Sequence, residues 1–296
     1  MNTSRKTTIV AAGLFLALFA GSILSQQKVQ RLRGEDVTLE EILYLPSGKA
    51  VKRLSLGYSS LLADIYWTRA VQYFGARHLK HSTHYELLYP LLKITTELDP
   101  HLVVAYETGA VFLCQPIPDG AGDPDKAVAL LEQGIKENPE AWHMYFTLGF
   151  VQYLERHDYK AAEQAFHRGS EIPGALPWMR IMAARMAEHA DERDTAMLLW
   201  KGVYDNAHED MVRETARKHM ASLEAEMTIE ILKKLVQTYH DRTGNLPAAW
   251  VDMVRAGVLS QVPLDPTGHV YKLGQDGMVG VEDPKQFPYL DKNRKD

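Results

Sequence analysis

The sequence predicts a mainly α protein, an array of antiparallel helix pairs with an N-terminal transmembrane or signal-anchor helix and a small C-terminal α+β appendage. Three observations predict it. Small, large and proline positions recur in one order through the middle of the chain. An uncharged apolar run lies near its start. Gly and Pro crowd the stretch after residue 243, where short apolar runs alternate with turn residues. At 296 residues, one elongated helical domain and an appendage account for the length. The boundaries that follow are 1–26 for the anchor, 27–50 for a juxtamembrane linker, 51–226 for the array, 227–281 for the appendage and 282–296 for a polar tail.

Arg5 and Lys6 precede the run from Ile9 to Leu24, which carries no charge. A basic region before an apolar run is a secretory signal pattern. The run is 16 residues long and gains length from the flanking Thr7, Thr8, Ser25 and Gln26, enough to approach a full span. Ala20-x-Ser22 offers a cleavage point, but no Ala-x-Ala is present, so an uncleaved anchor is expected, with a cleaved signal peptide as the alternative. Arg5 and Lys6 favour a cytoplasmic N-terminus, while Lys28, Arg31 and Arg33 oppose it. The signal-like layout decides for a single-pass protein of a bacterial inner membrane with its bulk in the periplasm. The alternative is a secreted or periplasmic chain after cleavage.

Beyond the linker, Leu54, Tyr58, Leu61, Leu62, Ile65 and Tyr66 form a stripe at helical spacing. Burial of a first helix explains it. Lys49, Lys52 and Arg53 stand at that helix start, as a solvated end or a contact to lipid headgroups.

The clearest repeat runs from Pro139 to Pro173, 34 residues. Tyr145-x2-Leu148-Gly149 is followed by Ala162-x3-Phe166 and then by Pro173. Two helices approach closely only where a side chain is small, and Gly149 and Ala162 meet that need. Tyr145, Leu148 and Phe166 fill the space around them, and Pro173 stops the second helix. One residue is extra in the turn from Glu155 to Asp158. Upstream, Tyr106-x2-Gly109-Ala110 leads to Ala127-x3-Leu131 and Pro139, across an insertion at 115–125. Downstream, Ala183-Ala184 leads to Ala196-x3-Trp200. Leu62-Ala63 and a helix from His84 to Leu98 read as a degenerate first unit, and 209–224 and 227–242 as two further helices.

These residues resemble the tetratricopeptide repeat (TPR), a helix–turn–helix unit with this period and these positions. The resemblance implies stacked helix pairs around a continuous core and a surface that binds partners. In that frame the first helix of each unit faces a concave groove. His143, Phe146, Phe150 and Tyr153 line it from the central unit. Val104, Glu107, Val111 and Cys114 line it from the preceding unit, and Trp178, Ile181, Arg185 and Glu188 from the next. An aromatic and apolar lining fits an extended or helical peptide. The alternative occupant is the chain's own tail or first helix.

The appendage has its own signature: Gly244, Leu246 and Pro247, then Gly257 and Leu259, then Pro263, Asp265, Pro266, Gly268 and Tyr271. With the helix before it, this stretch resembles the globular part of type II secretion pseudopilins, which implies a long helix, a short helix and a small sheet. Those proteins join this part directly to their membrane helix, whereas here the array intervenes, so a filament subunit is not expected. Asp265, Asp276 and Asp283 read as turn residues, not as calcium ligands.

The remaining chemistry is sparse. A net charge of −5 and a pI of about 6.2 offer no basic field for nucleic acid. Cys114 is the single cysteine, so no internal disulfide forms, and its apolar neighbours Val111, Phe112 and Leu113 point to packing. His78, His81 and His84 are spaced by three but interrupted by Ser82-Thr83, which reads as a loop. No His-Glu-x-x-His, Gly-x-Ser-x-Gly, phosphate-binding Gly-rich loop or Cys-x-x-Cys occurs. No catalytic residue, metal or cofactor is therefore expected. The function expected is a non-catalytic protein–protein interaction scaffold of a bacterial envelope machine, such as a pilus, a type II-like secretion system or an associated transporter. Its partners would be envelope proteins and, through the N-terminal helix, the membrane. The alternative is a periplasmic accessory protein that binds polysaccharide or peptide substrate for a partner enzyme.

Overall fold

The structure, a computed structural model, describes residues 47–290. The anchor and most of the linker lie outside them. Among the described residues no helix is long and apolar enough to cross a membrane. The described residues divide into two compact units, one holding 47–99 together with Ile117–Ala121, the other holding Pro100–Pro116 and 122–290.

In the first unit, α1 (Gly48–Leu54) is capped by the Ser47 hydroxyl, which accepts from the Ala50 amide. It lies on α3 (Leu88–Leu98) so closely that a Cβ on Gly48 would meet the Glu97 Cβ at 2.8 Å. α2 (Ser59–Leu79) also packs on α3. Its fully buried positions are the small Ala63 and Ala70, two turns apart on one face. This overturns the expected burial of the stripe. Leu54, Tyr58, Leu61 and Ile65 are 80, 69, 58 and 48% exposed. The alanine face permits the close approach, and the bulky residues are left on the other side. The helix read from His84 begins only at Leu88, because His81 (φ 48°) and the residues after it form a connection. The segment 117–121 is held by the Tyr85 hydroxyl donating to the Pro118 carbonyl (2.7 Å) and by His78 Nδ1 against the Asp119 carbonyl (3.1 Å).

The second unit is a succession of helix pairs. α4 (Val103–Cys114) packs on α5 (Pro124–Glu137), α6 (Trp142–Phe150) on α7 (Tyr159–Ser170), and α8 (Trp178–His189) on α9 (Arg193–Asn206). Local rules start two of the three second helices, α5 and α7. Asp123 accepts from the Lys126 amide with Pro124 in the first turn, and Asp158 accepts from the Ala161 amide. Successive pairs also touch, α5 on α6 and α7 on α8. The crossings use glycine. An added Cβ would lie 2.7 Å from the Phe166 ring at Gly149, 2.6 Å from the Tyr106 ring at Gly134 and 2.5 Å from Met179 at Gly169. Asn138 ties two connections together, donating to the carbonyls of Gly134 and Pro100 and pairing with His101. α6 continues into a π-helical turn, Val151–Glu155. A π turn accommodates one more residue than an α turn, so one residue is added within the helix, ahead of the turn from Glu155 to Asp158 where the sequence put it.

α10 runs unbroken from Asp210 to Thr243, 34 residues, where two helices were expected. The stretch contains neither Gly nor Pro, so nothing interrupts the backbone ladder at 224–227. Gly244, at φ 73°, ends it. Its first half closes a core of Ala184, Ala187, Ala196, Trp200, Val203 and Leu223. Its second half carries Leu232 and Val236 into another core with Trp250, Met253, Tyr271, Val279, Val281 and Phe287. Over that half sit α11 (Trp250–Arg255) and an antiparallel pair, β1 (Lys272–Leu273) and β2 (Val279–Gly280), with Leu273 opposite Val279. Trp250 Nε1 donates to the Tyr271 carbonyl at 2.6 Å, fixing α11 to the strand start. Within the segment assigned to a polar tail, the residues from Glu282 to Gln286 are exposed as expected, but Phe287 is fully buried.

Candidate functional site

The groove residues of α6 and α8 converge. Phe146 meets Phe150 at 5.0 Å between ring centroids and Trp178 at 5.2 Å, and Phe150 lies 6.0 Å from Trp178. Phe150 also sets its edge against the fully buried Phe166 (5.2 Å), which anchors the cluster to the core. Positions 142, 146 and 150 fall one helical turn apart, so Trp142 joins the same row, edge-on to Phe146 and stacked on the exposed His143 at 3.6 Å. Trp142, Phe146, Phe150 and Trp178 are all half-buried: seated on one side, accessible on the other. Interplanar angles of 62°, 81° and 84° within the cluster turn ring edges onto ring faces, the geometry the aromatic quadrupole prefers.

Other groove residues extend or leave this face. Val104 and Val111 are exposed on α4, and Ile181 is half-buried on α8 against the core of the next pair. Glu107 lies near His143. Burial raises its carboxyl above the ordinary glutamate value, His143 opposes the rise, and Oε1 has no hydrogen-bond partner. A buried acceptor without a donor is costly. Tyr153 pairs with Tyr159 at 6.1 Å, and Tyr159 stacks on His189 at 5.2 Å, a second aromatic row. Arg185 is exposed. Cys114 is buried, its thiol pushed up to about 11 by burial and by Glu155, so it is packing and not chemistry.

Glu188 belongs elsewhere. Its Oε1 accepts from Trp200 Nε1 and bonds to His219 Nδ1, both at 2.8 Å. His219 is buried between two parallel rings, Trp200 at 3.9 Å and Tyr289 at 3.5 Å. A cavity of about 330 Å³ opens beside this stack, lined by Glu188, Arg193, Glu226 and Tyr289 among others. Arg193 is held by Glu230 (2.6 Å) and by Asp191 (3.4 Å), an ion-pair cluster that also borders a more open hollow of about 530 Å³. Sequence reasoning missed the stack, whose members come from α9, α10 and the stretch after the hairpin.

The histidines do not gather. His78 faces the Asp119 carbonyl and His84 the Glu86 carboxylate. Among the described residues no group of three His, Cys, Asp or Glu side chains is arranged to hold a metal. Asp265, Asp276 and Asp283 each bond within their own turn: Asp265 accepts from Thr267 and His269, Asp276 from Met278 and Asp283 from Lys285. Comparison with protein-family models and with curated protein sequences gives no match.

Proposed function

We propose that this chain is a TPR-like, non-catalytic scaffold whose aromatic face holds a peptide segment of a partner protein. The observation that carries the reading is the half-buried cluster Trp142, Phe146, Phe150 and Trp178. Solvent-facing aromatic clusters rooted in a core are the usual anchors of peptide binding. The recurring glycine crossings at Gly134, Gly149 and Gly169 support the repeat reading, since each removes the side chain where helices meet. The edge-to-face packing supports a peptide over a sugar: rings spent on one another leave few free faces for a saccharide to stack on. A membrane anchor at 1–26 and a pseudopilin-like appendage at 227–281 complete the reading. With them the proposal is of a scaffold on a bacterial inner membrane, its bulk in the periplasm, serving a pilus, secretion or transporter assembly.

In-cell photocrosslinking tests this. A photoreactive residue replaces Tyr153, and adducts are identified after membrane solubilisation. An adduct to a component of such an assembly is expected, and it is expected to weaken at least tenfold in the Phe146→Ala variant. Adducts only to the chain's own segments would overturn the reading. So would full retention of the partner adduct in Phe146→Ala that still folds. Saturable binding of an oligosaccharide, with no protein adduct, would transfer the face to the polysaccharide reading.

A further inference from the structure

The apolar residues left outside by α1 and α2 form a second surface, distinct from the aromatic face. Leu54, the last residue of α1, and Leu56, on the turn that follows, are 80 and 88% exposed. Leu56 holds a positive φ of 50°, with Gly57 at 93° beside it. A leucine in the left-handed region is uncommon, and here it tops a turn that presents bulky apolar groups to the outside. Tyr58, Leu61 and Ile65 continue the surface along one face of α2. Soluble chains rarely gather so many large apolar groups at one exposed tip, and such a patch marks an interaction surface.

The charge around the tip identifies what it meets. The whole chain is acidic at −5, yet residues 47–72 carry the cations Lys49, Lys52, Arg53 and Arg69 against the single acid Asp64. Lys49 and Arg53 are exposed beside the tip, Arg69 lies further along α2 over the Tyr66 ring, and Lys52 turns to α3, where it reaches the Glu97 carbonyl and the Glu97 side chain lies against Gly48. Tyr58, Tyr66 and Trp67 lie in the same stretch. Apolar side chains at a tip, interfacial aromatics and a basic collar together match the boundary of an anionic bilayer. The apolar run from Ile9 to Leu24 lies 23 residues before Gly48 in the chain, within tethering reach of the same bilayer.

We infer that the α1–α2 tip inserts Leu54, Leu56, Tyr58 and Leu61 into an anionic lipid surface, with Lys49 and Arg53 on the headgroups. This draws on the membrane part of the proposed function and is independent of the aromatic face. It gives the chain a second lipid contact beyond its anchor and fixes the orientation of the first unit on the membrane.

The test uses the full chain reconstituted in vesicles. An environment-sensitive maleimide probe is placed at Leu56→Cys or, for comparison, at Thr83→Cys, an exposed position past the far end of α2. A 21-residue helix separates the two, about 30 Å. The buried native Cys114, with its thiol near 11, stays unlabelled. In vesicles with a third phosphatidylglycerol, lipid-borne doxyl quenchers are expected to reduce emission at position 56 at least threefold and leave position 83 unchanged. Lys49→Glu with Arg53→Glu is expected to abolish the quenching at 56, while the chain still co-floats with the vesicles through its anchor. No quenching at 56, or equal quenching at both positions, would overturn the inference. Quenching at 56 indifferent to lipid charge and to charge reversal would overturn the anionic contact. Failure of the chain to co-float would instead strike the anchor in the proposed function.

Discussion

Single residues decide how closely these helices pack. Gly149→Ala places a methyl against the Phe166 ring, and overpacking a core costs about 1–3 kcal/mol. Gly202, also helical, has open space around it. Gly202→Ala is therefore expected to stabilise by about 0.5–1 kcal/mol. Urea midpoints of the two variants should move in opposite directions. Glu163 offers a pH-dependent counterpart. It is 5% exposed, and burial raises its carboxyl above the ordinary 4.5, with Glu192 adding to the rise and His167 and Lys160 opposing it. The native state thus holds this proton more tightly than the unfolded chain does. Its contribution is full below 4.5 and is lost as pH rises through the folded value. Glu163→Gln should melt higher than the parent at pH 8 and converge with it at pH 4. Close approach made Gly149 legible in the sequence, because only a residue without a side chain fits there. Glu163 was not legible, because its burial depends on neighbours from other stretches.

Among the elements, those bounded by local signals were readable and those shaped by distant partners were not. Asp123-Pro124 and Asp158 announce α5 and α7 through caps that need only three residues. Pro173 marked the end of α7 only approximately, since the helix stops at Ser170. α10 was read as two pieces because its apolar spacing changes partners midway, from Trp200 to Trp250. The residues after 281 looked polar by composition, yet two of them pack against the helices before them. Phe287 is fully buried, so Phe287→Ala should cost about 3–5 kcal/mol. Tyr289 covers one face of His219. Tyr289→Ala should cost about 0.5–1.5 kcal/mol for the lost ring pair, and differential scanning calorimetry separates the two losses. α2 shows the opposite error. Its stripe was real, but alanines took the inner face.

Across the whole chain, the helical class and the helix pairs were legible from repeat spacing, and so was the row Phe146, Phe150 and Trp178. Trp142 escaped because it stands before the residues that define the unit. The Trp200–His219–Tyr289 stack escaped because no local pattern joins three distant stretches. Met227→Pro should cost about 3 kcal/mol or more. It should also separate the hydrogen-exchange protection of 216–223 from that of 232–236, which the intact helix is expected to hold together. That helix has a mechanical meaning. Thirty-four residues make a rod of about 50 Å, and it lacks the Gly or Pro at which helices bend. One end is clamped beneath Trp200 and the other beneath Trp250. The two cores are therefore strung on one axle, and the distance between them along it is fixed for as long as its hydrogen-bond ladder holds.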